Sequence, residues 1–369
     1  MRTPLRNMHG VNLVELMVAM TIGLLILAAV STLLLDSKRS YVMQDGMARL
    51  QENARHAMQT IMRDLRMAGY YGCADEITSV TNTLNGSSGG EAFDVSNPIQ
   101  GSDDRSNWYP LASPAVPPPT DMLAGTDAIA IRYLDPNTEV DVDEPFMPTT
   151  SAALHTSGSG LKVGEIVFVN DCSAGALFQI TGPGNMGDAV TGTVVHNTGS
   201  DGDSKVPGNS TKNLGKIFED DAKIAKYYYA LYYVKESEVS GQPALHRITL
   251  ITEGDEVKTK EYELVEGIED LQLLYGEDTV NGDRVPDVYR KANEVTNWSN
   301  VVSARIGLVA RSLAHTDSGS KEYRPFIDTT PGYDVDGDGE YDPNYDDGPK
   351  NDNYQRRVFR TTVVLRNLQ

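Results

Sequence analysis

The side chains best suited to bind a ligand lie near the C-terminus, in the stretch DVDGDGEYD at 334–342. Acidic residues at alternate positions before a glycine match the first half of a D-x-D-x-D-G calcium loop, where oxygen atoms surround the ion. Tyr345 stands where such a loop usually has a bidentate glutamate, so a full EF-hand is excluded, and the alternative is a solvated acidic loop. We expect a weak calcium site formed by Asp334, Asp336, Asp338, Glu340 and Asp342.

The rest of the sequence offers no catalytic constellation. The stretch GPGNMG at 182–187 matches a dinucleotide-binding pattern, but a strand-like sequence follows it, so a phosphate would lack the helix N-terminus that binds it. Neither a G-x-S-x-G elbow nor a Walker glycine–lysine loop occurs. We therefore predict that the protein is not an enzyme. The histidines have no zinc-protease spacing and none lies near a cysteine: His9, His56, His155, His196, His246 and His315.

Composition narrows the class of protein further. The chain has 369 residues, 40% of them hydrophobic, and a net charge of −20. A nucleic-acid-binding protein needs a basic surface, so direct nucleic-acid binding is disfavoured. Two cysteines, Cys73 and Cys172, are too few for a disulfide scaffold or a four-cysteine zinc site. An oxidising compartment would pair them; the alternative is two buried free thiols.

Glu15 is the one ionisable side chain in an apolar run from Val11 to Leu35. A helix of that length exceeds the ~30 Å hydrocarbon core of a bilayer. An acid inside such a segment costs roughly 2.5–3.5 kcal/mol on insertion scales. A segment that served only as an anchor would not need this residue, so Glu15 requires a partner or a purpose.

The ten residues before the apolar run, MRTPLRNMHG, carry Arg2 and Arg6 and no acid. Positive charge on this side predicts that residues 1–10 stay cytoplasmic and that the chain beyond Leu35 is exported. A plain signal anchor is one interpretation. A secretory signal peptide, cleaved after the small residues around Val30, is another, although the apolar run is long for its core.

A third interpretation explains Glu15. The segment GVNLVELMVAM resembles the signal of type IV prepilins, which has a short basic leader, a glycine, an apolar helix and a glutamate five positions after the glycine. The resemblance implies that a prepilin peptidase cuts between Gly10 and Val11 and methylates the new N-terminus. Val11 departs from the usual phenylalanine and Asn12 from the commoner threonine. Glu15 would offset the new α-amino charge, within one chain or between subunits, and so register assembly.

Beyond Leu35 the sequence predicts that the helix continues as an amphipathic segment over residues 36–72. Apolar residues recur at three- and four-residue steps, and Gly46 is a weak point. A coiled-coil stalk is one interpretation, whereas pilin-like proteins lay this half of the helix on their own globular domain. The apolar positions are Met47, Leu50, Ala54, Ala57, Ile61, Leu65 and Ala68.

Residues 73–369 are expected to form an exported β-rich domain. Strand patterns occur at 127–134, 162–172, 175–182, 189–197, 225–234, 243–252, 301–312 and 356–367, separated by polar inserts at 79–125, 198–220 and 315–355. Helical spacing of Leu264, Ile268, Leu271 and Leu274 predicts a short helix there. The tyrosines at 227–233 are interpreted as a strand with core-facing and surface rings.

Several tracts resemble PilW-type minor pilins and, more distantly, J-type pseudopilins. They are LVEGIEDLQLLYG, VVSARIGLVARS, GYYGC, NDCSAGALFQIT, GTDAIAIRY and RRVFRTTVVLRN. The resemblance implies an α+β, pilin-like fold, in which a long N-terminal membrane-spanning helix packs on a β-rich globular domain with long loop inserts. Residues 1–10 would be the leader, 11–35 the transmembrane part, 36–72 the amphipathic part and 73–369 the globular domain.

The function implied by the resemblance is a minor pilin that helps initiate type IV pilus assembly and sits at or near the pilus tip. Such pili serve twitching motility, adhesion and DNA uptake. The implied partners are other minor pilins, the major pilin, a large tip adhesin, the prepilin peptidase and the inner membrane, with the globular domain in the periplasm before assembly. The alternatives are a J-type pseudopilin of type II secretion and a membrane-anchored exported binding protein without a filament role.

The prepilin interpretation predicts one cleavage position. Mass spectrometry of the exported protein should show a chain that begins at Val11 with a methylated amino group. A bulky residue in place of Gly10 should block cleavage, whereas Gly10→Ala should be partly tolerated because alanine is small. A chain that starts after Val30, or one that retains Met1, would contradict the interpretation.

Overall fold

The structure is a computed structural model. It describes residues 12–72, 79–85, 90–105, 107–110, 119–157, 160–199, 207–253, 256–280, 282–314, 326 and 353–368.

A single helix, α1 (Leu13–Met67, 55 residues), begins the described chain. At 1.5 Å per residue it is about 80 Å long, and it runs through Gly46 without a break. It ends at Met67, slightly before the Gly69–Gly72 region where the sequence places its end. Gly69, two residues past this end, has a φ of +75°. Tertiary packing also restricts this position, because a Cβ atom on Gly69 would lie 2.8 Å from the Asn367 carbonyl oxygen.

The larger sheet has eight strands, and the first of them follows the helix in chain order. Its main path runs β1–β6–β5–β8–β3–β2, and a long hairpin, β9–β10, continues from the second half of β8. β1 pairs with β6 in parallel, and the other pairs are antiparallel. The strands are β1 (Ser79–Asn82), β2 (Ile99–Ser102), β3 (Ala128–Asp141), β5 (Ile166–Asn170), β6 (Ala174–Gln179), β8 (Lys223–Glu236), β9 (Pro243–Glu253) and β10 (Glu256–Glu266).

A second, four-stranded antiparallel sheet is built from the C-terminal part of the chain, in the order β12–β11–β13–β14. A two-stranded ribbon joins β4 to β7. The bounds are β11 (Ile268–Glu277), β12 (Val288–Arg290), β13 (Val301–Arg311), β14 (Arg356–Val364), β4 (Leu154–His155) and β7 (Thr193–Val194). Three short 3-10 turns complete the described elements, at Gly90–Phe93, Ala292–Glu294 and Trp298–Asn300.

The short helix expected around Leu264–Leu274 is wrong, because these residues lie in β10 and β11. The register between β11 and β13 shifts between Ile268 and Asp270, which leaves Glu269 as an extra residue. This bulge puts Ile268 and Leu271 on one face at a spacing of three, which imitates a helix turn. The pattern at 189–197 yields only β7, and β1, β2, β4, β10 and β12 are strands that the patterns did not reveal.

The C-terminal half of α1 packs between the two sheets. Its apolar stripe contacts β3, β10, β13 and β14 and shares one core with residues of β8 and β11, which confirms the stripe read from the sequence and excludes a free stalk. The predicted α+β architecture is therefore confirmed. The helix residues that are buried are Leu50, Ala54, Ala57, Met58, Ile61, Asp64 and Leu65.

Asp64 is the one charged residue in that buried stripe, and its side chain is fully buried. Tyr232 donates to its Oδ2 at 2.5 Å, Tyr133 to its Oδ1 at 3.2 Å and Tyr228 to its Oδ2 at 3.4 Å. Burial, and then the Asp64 charge, raise the pKa of Tyr232 above its ordinary value, so the phenol remains a donor. This cluster, which we call the Asp64 anchor, fixes the helix on β3 and β8.

A second buried carboxylate joins the two sheets. Asp127 precedes β3, and its Oδ2 accepts from the backbone N–H of Leu273 on β11 at 2.8 Å. Burial raises the pKa of Asp127 well above its ordinary value, and the nearby charges of Asp103 and Asp270 add to the effect. The native protein therefore holds a proton here that the unfolded chain releases near its ordinary pKa.

We predict that Asp64→Ala destabilises the folded domain by about 3 kcal/mol, because two buried phenols and one partly buried phenol lose this acceptor. Arg63→Ala is the matched control. Arg63 contacts the same carboxylate at 3.3 Å, but its side chain is 67% exposed, so we expect less than about 1 kcal/mol. Denaturant unfolding of the purified full chain measures both. Similar losses for the two variants would refute a specific role for the anchor.

Asp127→Asn should stabilise the protein increasingly as the pH rises. Below the ordinary carboxyl pKa both states of the wild type are protonated, so the variant gains little. Above it the wild type loses stability as the pH approaches the raised native pKa, whereas the amide does not titrate. The amide oxygen can still accept from Leu273. Melting temperatures at about pH 4 and pH 8 test this, with the exposed Asp221→Asn as control. An advantage that shrinks with rising pH would contradict the prediction.

Candidate functional site

The N-terminal half of α1 is an apolar rod that leaves the globular domain. Every side chain from Leu13 to Leu35 is exposed, and among the described residues α1 is the helix that is long and apolar enough to cross a membrane. Exposed apolar side chains on all faces of a helix are unfavourable in water and favourable in hydrocarbon. This half of the helix therefore has the properties of a membrane anchor.

The few hydroxyl groups in this rod are already satisfied. Thr21 donates to the carbonyl oxygen of Met17 at 2.8 Å and Ser31 to that of Leu27 at 2.8 Å. Thr32 donates to the carbonyl oxygen of Ala29 at 2.9 Å. An unpaired polar group costs several kcal/mol in hydrocarbon, so these bonds within the helix let the rod enter a bilayer without losing hydrogen bonds.

Glu15 lies in the first turn of α1, and its carboxylate turns back towards the helix start. Its Oε2 accepts from the backbone N–H of Asn12 at 3.1 Å. A carboxylate at this end also favours the positive end of the helix dipole. Gly10 and Val11 lie outside the described residues.

The rod is joined firmly to the globular domain. Gly46 lies where the domain begins, and a Cβ atom there would sit 3.8 Å from Cβ of Ser312. Two turns further, the Asn53 amide donates to the Glu266 carbonyl oxygen at 3.0 Å. No break separates these contacts from the exposed half, so the position of the rod is set by the domain.

Cys172 lies in the turn between β5 and β6, with φ of +68°. The described part of the chain contains no free thiol. Its expected partner, Cys73, lies outside the described residues, so the Cys73–Cys172 pairing stays a prediction. Gly72 supports it, because a Cβ atom on that residue would meet the Asn170 side chain at 2.7 Å. The residue before Cys73 therefore lies against the turn that holds Cys172.

The turn itself is well ordered by Asp171. Burial opposes ionisation of this carboxyl, but hydrogen bonds from Lys216, Ala174 and Ser173 outweigh it and lower the pKa of Asp171. Its Oδ1 accepts from the Ala174 and Ser173 backbone N–H groups at 3.0 and 3.1 Å. These bonds hold the Cys172 backbone in place.

The expected calcium ligands also lie outside the described residues: Asp334, Asp336, Asp338, Glu340 and Asp342. Calcium binding by this stretch stays a prediction. Elsewhere, in the residues that are described, no group of three or more histidine, cysteine or acidic side chains could hold a metal ion.

Sequence reasoning missed the Asp64 anchor, although a signal was present. Asp64 falls on the same helix face as Ile61, Leu65 and Ala68, and an acid in an apolar stripe needs a buried partner. The tyrosine-rich strand β8 carries those partners. The interpretation of the tyrosine-rich segment as a strand was right. The contact between this strand and Asp64 could not be predicted from residue spacing alone.

Comparisons with known proteins find a family model and a solved structure that are similar to this chain. Residues 231–367, from within β8 to just past β14, match the family model described as PilW, Type IV Pilus-assembly protein W. No curated protein matches the chain. A solved type IV-like pilin from Thermus thermophilus is 11% identical, with a TM-score of 0.35, over 87% of this chain and 99% of that chain. The resemblance to PilW-type pilins that the sequence tracts indicated is confirmed over residues 231–367.

Proposed function

We propose that this protein is a PilW-type minor pilin that helps initiate type IV pilus assembly at or near the pilus tip. The observation that carries the proposal is the exposed half of α1, which combines the properties of a membrane anchor with a carboxylate directed at the helix start. The PilW match over the C-terminal part of the chain supports a role in pilus assembly over one in type II secretion.

In this proposal the rod has two environments. Before assembly it lies in the inner membrane, with the globular domain in the periplasm. In the assembled complex it packs against the rods of other minor pilins and the major pilin, so its apolar surface stays out of water. A large tip adhesin and the prepilin peptidase are the further partners. We propose no enzymatic activity.

Glu15 has a specific task in this scheme. Cleavage before Val11 leaves an ammonium group in an apolar environment, where an unpaired charge is costly. The carboxylate already lies beside the Asn12 nitrogen, so it can pair with the ammonium group of its own chain or with that of a neighbouring subunit. A pair between subunits would fix the axial register of one rod against the next.

The disulfide and the calcium site, which involve residues outside the described ones, are accessory features of the proposal. A Cys73–Cys172 disulfide would hold the end of the helix segment on the β5–β6 turn. A calcium ion among the acidic residues at 334–342 would order that loop, and the missing glutamate makes the site weak, on the order of 10⁻⁴ to 10⁻³ M.

The charge-pair role is tested with Glu15→Ala. The variant should insert into the membrane as well as the wild type or better. The expected gain is the cost of the acid, roughly 2.5–3.5 kcal/mol on insertion scales. It should nevertheless be lost from sheared pilus fractions and from complexes with other minor pilins. Glu52→Ala, which removes an exposed acid of the same helix beyond the apolar run, is the matched control and should behave as the wild type.

Two outcomes would contradict the proposal. Normal recovery of Glu15→Ala in sheared pili would remove the charge-pair role. Absence of the wild-type protein from sheared pili, together with its recovery with a type II secretion complex, would favour the pseudopilin alternative.

A further inference from the structure

Ten residues of α1 lie between the apolar rod and the globular domain, and we call this segment, 36–45, the collar. Its sequence is DSKRSYVMQD, it is helical throughout, and each of its side chains is exposed. The contacts with the domain begin at Gly46, which lies near Ser312. At 1.5 Å per residue the collar spans about 15 Å, so it holds the anchor and the domain apart.

The collar begins at the depth of the lipid headgroups. The rod from Leu13 to Leu35 is about 34 Å long, slightly more than the ~30 Å hydrocarbon core of a bilayer. The headgroup layer adds about 5–7 Å on each side. Lys38 and Arg39 lie about 4–6 Å beyond Leu35 along the helix axis. With Leu35 at the edge of the hydrocarbon, both cations lie within the headgroup layer on the domain's side.

Both cations are able to bind an anion. They are exposed, and neither forms an ion pair or a hydrogen bond within the part of the chain that the structure describes. The next cation of the helix differs from them, because Arg49 is bound to Asp45 at 3.0 Å. Ammonium and guanidinium groups form strong charge-assisted hydrogen bonds with phosphate oxygens, and the guanidinium can use two N–H groups at once.

One acid of the collar, Asp36, has to be weighed against these charges. At about 100° per residue, Asp36 lies about 60° from Arg39 around the helix and about 160° from Lys38. Asp36 can therefore offset part of the Arg39 charge but not the charge of Lys38. Lys38 shares a stripe of the helix with Leu34 and Tyr41, which are 64% and 72% exposed. Along this stripe an apolar, a cationic and an amphipathic side chain follow one another, in the order in which a bilayer passes from hydrocarbon to phosphate to water.

We propose that the collar binds anionic phospholipid headgroups on the domain's side of the membrane, with Lys38 and Arg39 as the phosphate-binding residues. The charges are complementary, and the collar continues directly from the membrane anchor, so the lipid already lies alongside it. The chain as a whole has a net charge of −20, so an anionic membrane repels the globular domain. Binding at the collar offsets this repulsion locally and fixes the depth of the rod. The proposal rests on the membrane anchor and not on the pilus role or on Glu15.

The first test is the lipid selectivity of the purified full chain. The chain is immobilised in a neutral detergent and offered equal amounts of phosphatidylglycerol and phosphatidylcholine with the same acyl chains, and the retained lipids are quantified by mass spectrometry. One basic residue near an anionic surface contributes about a fivefold preference, so phosphatidylglycerol should be enriched at least about fivefold at low salt. At about 1 M salt, where the screening length is about 3 Å, the enrichment should be lost.

Lys38→Gln with Arg39→Gln should remove most of this enrichment. Arg55→Gln with Arg66→Gln is the matched control, because it makes the same change of charge at exposed residues of the same helix. These two residues lie about 30 Å or more beyond Leu35, outside the headgroup layer, so the control should keep the wild-type enrichment. Equal melting temperatures would show that each variant is folded. A wild type without selectivity, or equal selectivity after the change at Lys38 and Arg39, would overturn the proposal.

The second test distinguishes lipid phosphate from phosphate in solution. In nanodiscs, Lys38 of the wild type should react several-fold more slowly with a water-soluble amine reagent when the bilayer contains phosphatidylglycerol than when it is phosphatidylcholine alone. Lys212, an exposed lysine of the globular domain, is the internal control and should react equally in both. Inorganic phosphate added to the phosphatidylcholine nanodiscs should give no protection.

Equal reaction rates of Lys38 in the two bilayers would contradict lipid binding. Protection by inorganic phosphate would show that the collar binds any phosphate rather than lipid headgroups, and would also overturn the proposal. Neither test requires a pilus, so a negative result would leave the role proposed in pilus assembly untouched.

Discussion

The structure depends on one buried interaction, the binding of the Asp64 carboxylate by three tyrosine hydroxyls. A single acid on the apolar stripe of α1 can be buried only where hydrogen-bond donors are available. Tyrosine hydroxyls of β3 and β8, two strands of one sheet, supply these donors. The apolar stripe determines which face of α1 is buried, and the carboxylate adds a polar constraint to the same face. The carboxylate permits one register, because any other would leave it unpaired.

That register determines how the exposed half of the helix is presented. The helix has no break at Gly46, so the domain holds the rod from the contact at Ser312 onwards. The first turn of the helix is about 75 Å from the Asp64 anchor along the helix axis. The two halves of the helix therefore have different surroundings. Its C-terminal half buries one stripe against protein, while its N-terminal half exposes apolar side chains on every face.

The sequence predicted the features that depend on local periodicity. The apolar stripe from Leu50 to Leu65 follows the helical repeat, and the longer strands show β-branched runs or alternation. It failed at Ile268–Leu271, where a bulge changes the local period, and at β10, whose exposed residues give little alternation. The partners of Asp64 and the burial of Asp127 could not be predicted, because they depend on which strands the chain brings together over 69 to 168 positions. Of the residues expected to be functional, Glu15 and Cys172 are placed by the structure.

The last strand has a consequence for the order in which the chain folds. The Asn367 amide donates to the Arg66 and Ala68 carbonyl oxygens, across 301 and 299 positions of sequence, and β14 packs against α1. The apolar rod leaves the ribosome first, whereas the strand that completes the helix's binding surface leaves last. During synthesis, part of the surface that binds the stripe of α1 is absent until nearly the whole chain has emerged. Contacts this distant in sequence form slowly. The incompletely folded chain is therefore exposed to aggregation and to proteases until the last strand is in place.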